Sequence, residues 1–207
     1  MKNGSGAGLL SILVILSFIS TAPANAERMK PDNTVSQVSM VSPHPHATVA
    51  QQKVGNKNYQ VAQVVINSKP EVVWDALTQY DRADEIYSNL KRLQIINDNG
   101  PQKTISFTVA SMGGLWKYDY VLNISELKAL KRIEWTRHSG AFKANEGYWQ
   151  LTPVEGDRTL VTYAKHIDGG MLLPQVMVNS ELRKIMPEVL NNLRSAVMKE
   201  QIALSSK

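Results

Sequence analysis

The chain has 207 residues, no cysteine and a formal charge of +5, a length that fits one domain, or one domain with extensions. Without cysteine there are no disulfides, iron–sulfur clusters, cysteine-ligated zinc or cysteine nucleophile. An apolar share of 43% argues against a wholly disordered chain, and 23 basic against 18 acidic residues without a long basic block does not mark a nucleic-acid binder.

The first element is an address. Met1-Lys2, the uncharged run Leu9 to Ser20 (LLSILVILSFIS) and the small residues Ala24 and Ala26 predict a secretory signal over residues 1–26, cut after Ala26. The apolar run is shorter than the about 20 residues that span a bilayer, and no cysteine stands at the cut to make a lipoprotein. Removing Lys2 leaves 22 basic and 18 acidic residues, +4, on a mature chain expected to be secreted or periplasmic. Residues 27–57 follow. They are rich in Pro, Ser, Asn and Gln and lack aromatics up to about Asn56, which predicts a flexible arm. His44 and His46 within it are spaced to touch one metal ion, but no third ligand is near, so they read as exposed turn residues and no metal site is expected.

From residue 58 the texture is that of a domain. The 13 aromatics of the mature chain all lie between Tyr59 and Tyr163. Tyr59 to Asn67 is β-branched and predicts a strand. Ser68-Lys69-Pro70-Glu71 predicts a helix start capped by Ser68, with Val72, Val73, Ala76, Leu77 and Tyr80 at helical spacing and Trp74 offset. A second helical piece is expected over Ala83 to Ser88. Six strand-like segments follow: Leu90 to Asn97, Lys103 to Met112, Trp116 to Ile124, Lys131 to His138, Ala144 to Pro153 and Arg158 to Ile167. The chain ends in a long helix whose Leu182, Ile185, Met186, Val189, Leu190, Leu193 and Val197 make one apolar face. Pro187 inside it predicts a kink or a split. The expected fold class is α+β: a seven-stranded curved antiparallel sheet wrapped around the C-terminal helix.

The pattern Pro70-x-x-x-Trp74-x-x-Leu77-x-x-Tyr80, then Gly147-x-Trp149-x-Leu151-x-Pro153, Thr159-x-Val161-x-Tyr163 and Leu173-Pro174 before the last helix resembles the START-like (SRPBCC) superfamily. Within it, the chain is most similar to the polyketide cyclase/dehydrase and lipid-transport group that includes the coenzyme-Q-binding proteins. The resemblance covers about Tyr59 to Ala203. It implies the helix-grip fold, a cavity between sheet and helix, and a hydrophobic ligand such as a lipid or quinone.

No hydrolase elbow, Walker motif or dinucleotide fingerprint is present, so no catalytic residue is assigned and no cofactor is implied. His138 and His166 lie near strand ends and read as acid–base groups if they face the cavity, or as rim residues if they do not. Alternation with Ile133 and Trp135 puts Arg137 on the inward face, where it would hold a polar ligand head, unless the strand has already reached the rim. Glu134 and Glu146 have the opposite parity and are expected to be exposed. The candidate ligand-binding residues are Phe107, Trp116, Tyr118, Tyr120, Trp135, Arg137, Trp149, Tyr163, Met171 and Met177. Met112 adds adaptable apolar surface near the expected mouth. The loop Gly169 to Pro174 reads either as a gate or as a plain chain reversal.

The expected function is an exported binding or carrier protein for a hydrophobic small molecule, monomeric, with transient membrane contact and no nucleic-acid partner. The alternatives are a cyclase/dehydratase-type enzyme acting through His138, His166 or Arg137, and a non-catalytic envelope interaction module.

Overall fold

In the computed structural model residues 47–205 are described. The signal, the arm up to residue 46 and the His44–His46 pair lie outside them. Period-two burial builds the sheet. In β2 (Lys57–Ile66), Gln60, Ala62, Val64 and Ile66 are buried while the residues between them are not. The strand that pairs with β2, Arg158–Asp168, buries Thr159, Val161, Tyr163 and Ile167 in the same way.

The strands are β1 (Thr48–Val54), β2, β3 (Leu90–Asn99), β4 (Gln102–Ser111), β5 (Trp116–Leu127), β6 (Arg132–Gly140), β7 (Ala144–Val154) and β8 (Arg158–Asp168). They form one antiparallel sheet in the order β1-β2-β8-β7-β6-β5-β4-β3. The chain leaves β2, crosses through α1 (Pro70–Thr78) to the far edge, and meanders back until β8 lies beside β2. The helix-grip architecture is present with eight strands rather than seven. The additional strand is Thr48–Val54, within the stretch expected to be a flexible arm. It pairs along its whole length with β2, Thr48 opposite Gln63 through Val54 opposite Lys57. Its side chains are exposed except for the half-buried Val49, so it carries no alternating apolar pattern and is held by backbone bonds.

Three helical expectations are corrected. Ser68 does not cap α1. The residue before a proline is driven to extended backbone, and Lys69, at φ −65° and ψ 150°, takes the cap position. Ser68 is instead docked at 2% exposure: Gln201 Nε2 donates to its hydroxyl at 3.0 Å and Thr159 Oγ1 to its carbonyl at 2.7 Å. Trp74, expected to stand off the apolar face, is buried, while Val72 is only partly so. The piece expected over Ala83 to Ser88 is a 3-10 turn at Tyr80–Glu85.

The last helix, α2 (Gln175–Ser205), runs unbroken through Pro187. An interior proline costs about 3 kcal/mol. Around it α2 buries Leu182, Met186, Val189, Leu190, Leu193, Ala196 and Val197, the larger of which contribute about 1.5–3 kcal/mol each. Packing against the sheet therefore outweighs the lost backbone bond, and the helix is not split.

Candidate functional site

A cavity of about 160 Å³ lies between the concave face of the sheet and α2. Its walls come from β3 to β8, from the first half of α2, and from the segment between α1 and β3. Seven of the sequence-predicted residues line it: Phe107, Tyr118, Tyr120, Trp135, Trp149, Tyr163 and Met177. The rings are packed in series. Trp149 stacks on Tyr163 with centroids 4.0 Å apart and an interplanar angle of 8°, and Trp135 tilts against Tyr163 at 5.9 Å. Farther along, Phe107 stacks on Tyr120 at 5.4 Å. Offset and tilted ring pairs of this kind add to simple burial.

Three predicted residues are elsewhere. Trp116 is 57% exposed at the start of β5, and Met171 is fully exposed in the turn before α2. Neither lines the cavity. Arg137 is exposed, and its guanidinium donates to the Gly140 carbonyl at 3.0 Å. Two features put it there. The β6–β7 ladder ends at Trp135 opposite Gly147, so no strand flanks Arg137 on that side. The β5–β6 ladder passes from Val121–Ser139 to Leu122–Arg137, a bulge at His138 that turns the strand end. The Met112 side chain lies outside the described residues.

His138 is exposed. His166 sits on the outer face of β8, its Nδ1 2.9 Å from the Asn58 carbonyl oxygen and its ring 5.6 Å from Tyr59. Glu134 and Glu146 occupy the outer face as predicted by parity but are half-buried rather than free. Glu134 pairs with Arg132, and Glu146 with Lys57 at 2.7 Å and with the Tyr59 hydroxyl at 2.8 Å. Among the described residues no group of three His, Asp or Glu side chains is placed to hold a metal ion, and no helix is long and apolar enough to cross a membrane.

The lining also holds residues that were not predicted. Phe142, in the β6–β7 loop, turns inward to contact Tyr118 and Tyr120 with ring centroids 5.3 and 5.5 Å away; a loop residue gives no periodic signal. Tyr80 and Tyr87 approach from the segment after α1. Tyr80 donates to Glu126 Oε1 at 2.8 Å. Burial pushes the Tyr87 phenol up to about 12 and holds Tyr120 and Tyr163 well above their ordinary value. On the opposite wall, Glu181 of α2 accepts from the Ser111 hydroxyl at 3.1 Å.

Lys165 is the residue that sequence reasoning should have found. It alternates with Val161, Tyr163 and Ile167 on β8, so the parity argument applied to Arg137 places its ammonium inside. It lines the cavity, and burial lowers it from 10.5 to about 8.

The comparisons with known proteins agree with this geometry. No curated protein matches the chain. Among solved structures it is similar to the human StAR-related lipid transfer protein 5 (15% identity, 77% of this chain and 86% of that one, TM-score 0.62). It is also similar to a StAR-related lipid transfer protein from Xanthomonas axonopodis (14%, 76% and 96%, 0.61). A third is the Zhui aromatase/cyclase from Streptomyces (12%, 74% and 95%, 0.60). At these identities the likeness is one of fold. The family model for polyketide cyclase/dehydrase and lipid transport matches residues 66–194, most of the domain and well over half of the chain. That span runs from the end of β2 through most of α2, and the chain belongs to the polyketide cyclase/dehydrase and lipid-transport family.

Proposed function

We propose that this protein is an exported binding or carrier protein that holds a hydrophobic small molecule, such as a lipid or quinone, between the sheet and α2. The observation that carries the reading is the cavity itself: aromatic and aliphatic side chains from six strands and α2 line about 160 Å³, and apolar space of this kind favours an apolar guest. The family's lipid-transport members support it. Export rests on the N-terminal pattern of residues 1–26.

The capacity bounds the guest. An apolar cavity of about 150 Å³ takes a benzene-sized molecule, so the closed form accommodates a ring or a short chain, and a larger ligand requires widening. The turn from Gly169 to Pro174 is the proposed gate. Gly170 sits at φ 68°, a backbone state that favours glycine, and Leu173 and Met177 beyond it line the cavity. β4 and β8 run in the same direction, so the Leu115–Trp116 turn and the Met171 turn lie at one end of the sheet. There Leu115, Trp116, Met171, Val176 and Met177 expose apolar surface, the proposed point of transient membrane contact for a monomeric carrier.

The cyclase-type alternative is supported by the family description and by the aromatase/cyclase likeness. The three side chains through which it would act, Arg137, His138 and His166, all lie off the cavity, which favours the carrier reading. Native mass spectrometry of protein purified from its host is expected to reveal a copurifying hydrophobic ligand. Protein that carries none, and that shows no change in tryptophan fluorescence with any lipid or quinone offered, would overturn the reading.

A further inference from the structure

The concave face is largely apolar, and one row across it is not. Gln60 of β2 stands opposite Lys165 of β8, Lys165 opposite Gly147 of β7, and Gly147 opposite Trp135 of β6. These four residues form a continuous row across four neighbouring strands. The next inward residue of β7, Asn145, stands opposite Ile167 one step along the ladder.

This row collects the unsatisfied polar atoms. Among the described residues, the buried side-chain nitrogen and oxygen atoms without a hydrogen-bond partner are Gln60 Nε2, Trp135 Nε1, and Asn145 Nδ2 and Oδ1. All belong to the row or to its immediate neighbour. Lys165, in the middle, is half-buried and makes no side-chain hydrogen bond or ion pair among the described residues, and Glu181 on the facing helix lines the same cavity. Buried polar groups in folded proteins are nearly always satisfied, and an exception calls for an occupant.

The chemistry of the set defines that occupant. An ammonium, two amide NH2 groups and an indole N–H are donors, and the two amide oxygens, Gln60 Oε1 and Asn145 Oδ1, are the acceptors, so donors outnumber acceptors. Water would satisfy some of the donors but would leave the ammonium charge unbalanced in an apolar surround. Gly147 makes room for the Trp135 indole beside Lys165. A Cβ there would lie 2.3 Å from Trp135 Cζ2 and 2.2 Å from the Ala164 carbonyl oxygen, so the indole lies directly over the glycine that neighbours Lys165. Burial also depresses the lysine, as expected of a cation whose counterion is not in place.

We infer that Lys165 and Trp135, which line the cavity, form with the adjoining Gln60 and Asn145 on the neighbouring ladder positions a subsite for the carboxylate head of an otherwise apolar ligand. The inference deepens the carrier reading and rests on it: Phe107, Tyr120, Trp149 and Tyr163 hold the apolar body, and the row selects an acid over the corresponding neutral molecule.

The test compares decanoate with 1-decanol on the full mature chain, by tryptophan fluorescence titration and by 13C NMR of carboxyl-labelled decanoate. Wild-type protein is expected to bind decanoate at least tenfold more tightly than decanol, with the bound carboxyl still ionised at pH values where the free acid is protonated. Lys165→Met should lose at least tenfold for decanoate and change decanol less than threefold; Gln60→Leu should lose about threefold for decanoate alone. The acid–alcohol comparison on wild type needs no variant, so a variant that fails to fold does not leave the question open. If both ligands bind and wild type does not prefer the acid, or if folded Lys165→Met keeps its decanoate affinity, the subsite is overturned and the carrier reading stands. If neither of these nor any other apolar ligand binds, both readings fall.

Discussion

Lys165 and Arg137 make a matched pair of cations, one inside and one outside, on strands whose alternation assigns both inward. What separates them is the neighbouring backbone. Lys165 has ladder partners on both sides, Gln60 and Gly147, whereas Arg137 lies beyond the end of the β6–β7 ladder and beside a bulge. The alternation was legible in the sequence; the bulge was not, because it depends on which residues of two strands pair. Holding the Lys165 ammonium at about 8 rather than 10.5 corresponds to roughly 3 kcal/mol of destabilisation while it is charged, less where water fills the cavity. The unfolded chain binds the extra proton between these two values. The penalty is therefore complete below pH 8 and is relieved as pH rises towards 10.5. The other titratable groups facing the cavity are Glu181 of α2, Tyr118 and Tyr120 of β5, Tyr163 of β8, and Tyr80 and Tyr87 from the segment after α1. Burial holds Tyr87 at about 12 and raises Tyr80, Tyr120 and Tyr163 well above their ordinary value. Lys165→Met is accordingly expected to stabilise the ligand-free protein at pH 7 by up to about 3 kcal/mol, with the gain shrinking by pH 10. Urea denaturation at both pH values checks it, and an equal gain at the two would count against the assignment. Gly147→Ala should act in the opposite sense. Its Cβ would press on a backbone oxygen at 2.2 Å and on Trp135, so a loss of about 1–3 kcal/mol or more is expected in the same measurement.

At the scale of elements, local propensity and tertiary packing disagree at two points. Pro187 breaks the local rule for α2, but Met186 and Leu190 on either side are fully buried, and the helix continues. Replacing Pro187 with Ala restores the missing backbone donor. It is expected to raise stability by about 1–3 kcal/mol, read as a shift in the denaturation midpoint at unchanged slope. β1 is the converse case, a strand without a strand pattern. Six of its seven residues are exposed, so its formation depends on the open edge of β2 rather than on its own side chains. Removing residues 1–55 is expected to leave the circular dichroism spectrum and decanoate binding nearly unchanged. It also uncovers the β2 edge, and earlier aggregation on heating, measured by light scattering, should follow.

For the molecule as a whole, the limiting quantity is the closed volume. About 160 Å³ is below the roughly 300–1,000 Å³ typical of ligand sites. Uptake of a long-chain ligand should therefore require movement of the Gly169–Pro174 turn and the start of α2. Saturation with decanoate is expected to slow amide hydrogen exchange in residues 169–181 while leaving the β2–β8 ladder unaffected; uniform protection throughout would argue against a local gate. Replacing exposed Leu115 and Met171 with Ser should slow delivery of a fluorescent fatty acid to anionic vesicles severalfold without altering equilibrium affinity, as expected if those side chains meet the bilayer.

The sequence by itself determined the α+β class, the order of the strands from Tyr59 onward, the long closing helix and most of the aromatic lining. These follow from period-two and period-3.6 patterns that any packed sheet and helix must satisfy. Only the tertiary structure decided the rest. β1 depends on an available edge, Phe142 turns inward from a loop, and Arg137 is released where one ladder ends and another bulges. The row of donors around Lys165 exists because Gln60, Lys165, Gly147 and Trp135, far apart in the chain, become neighbours when four strands pair in register. Alternation along one strand says which face a side chain takes; which side chains meet on that face is set by pairing between strands.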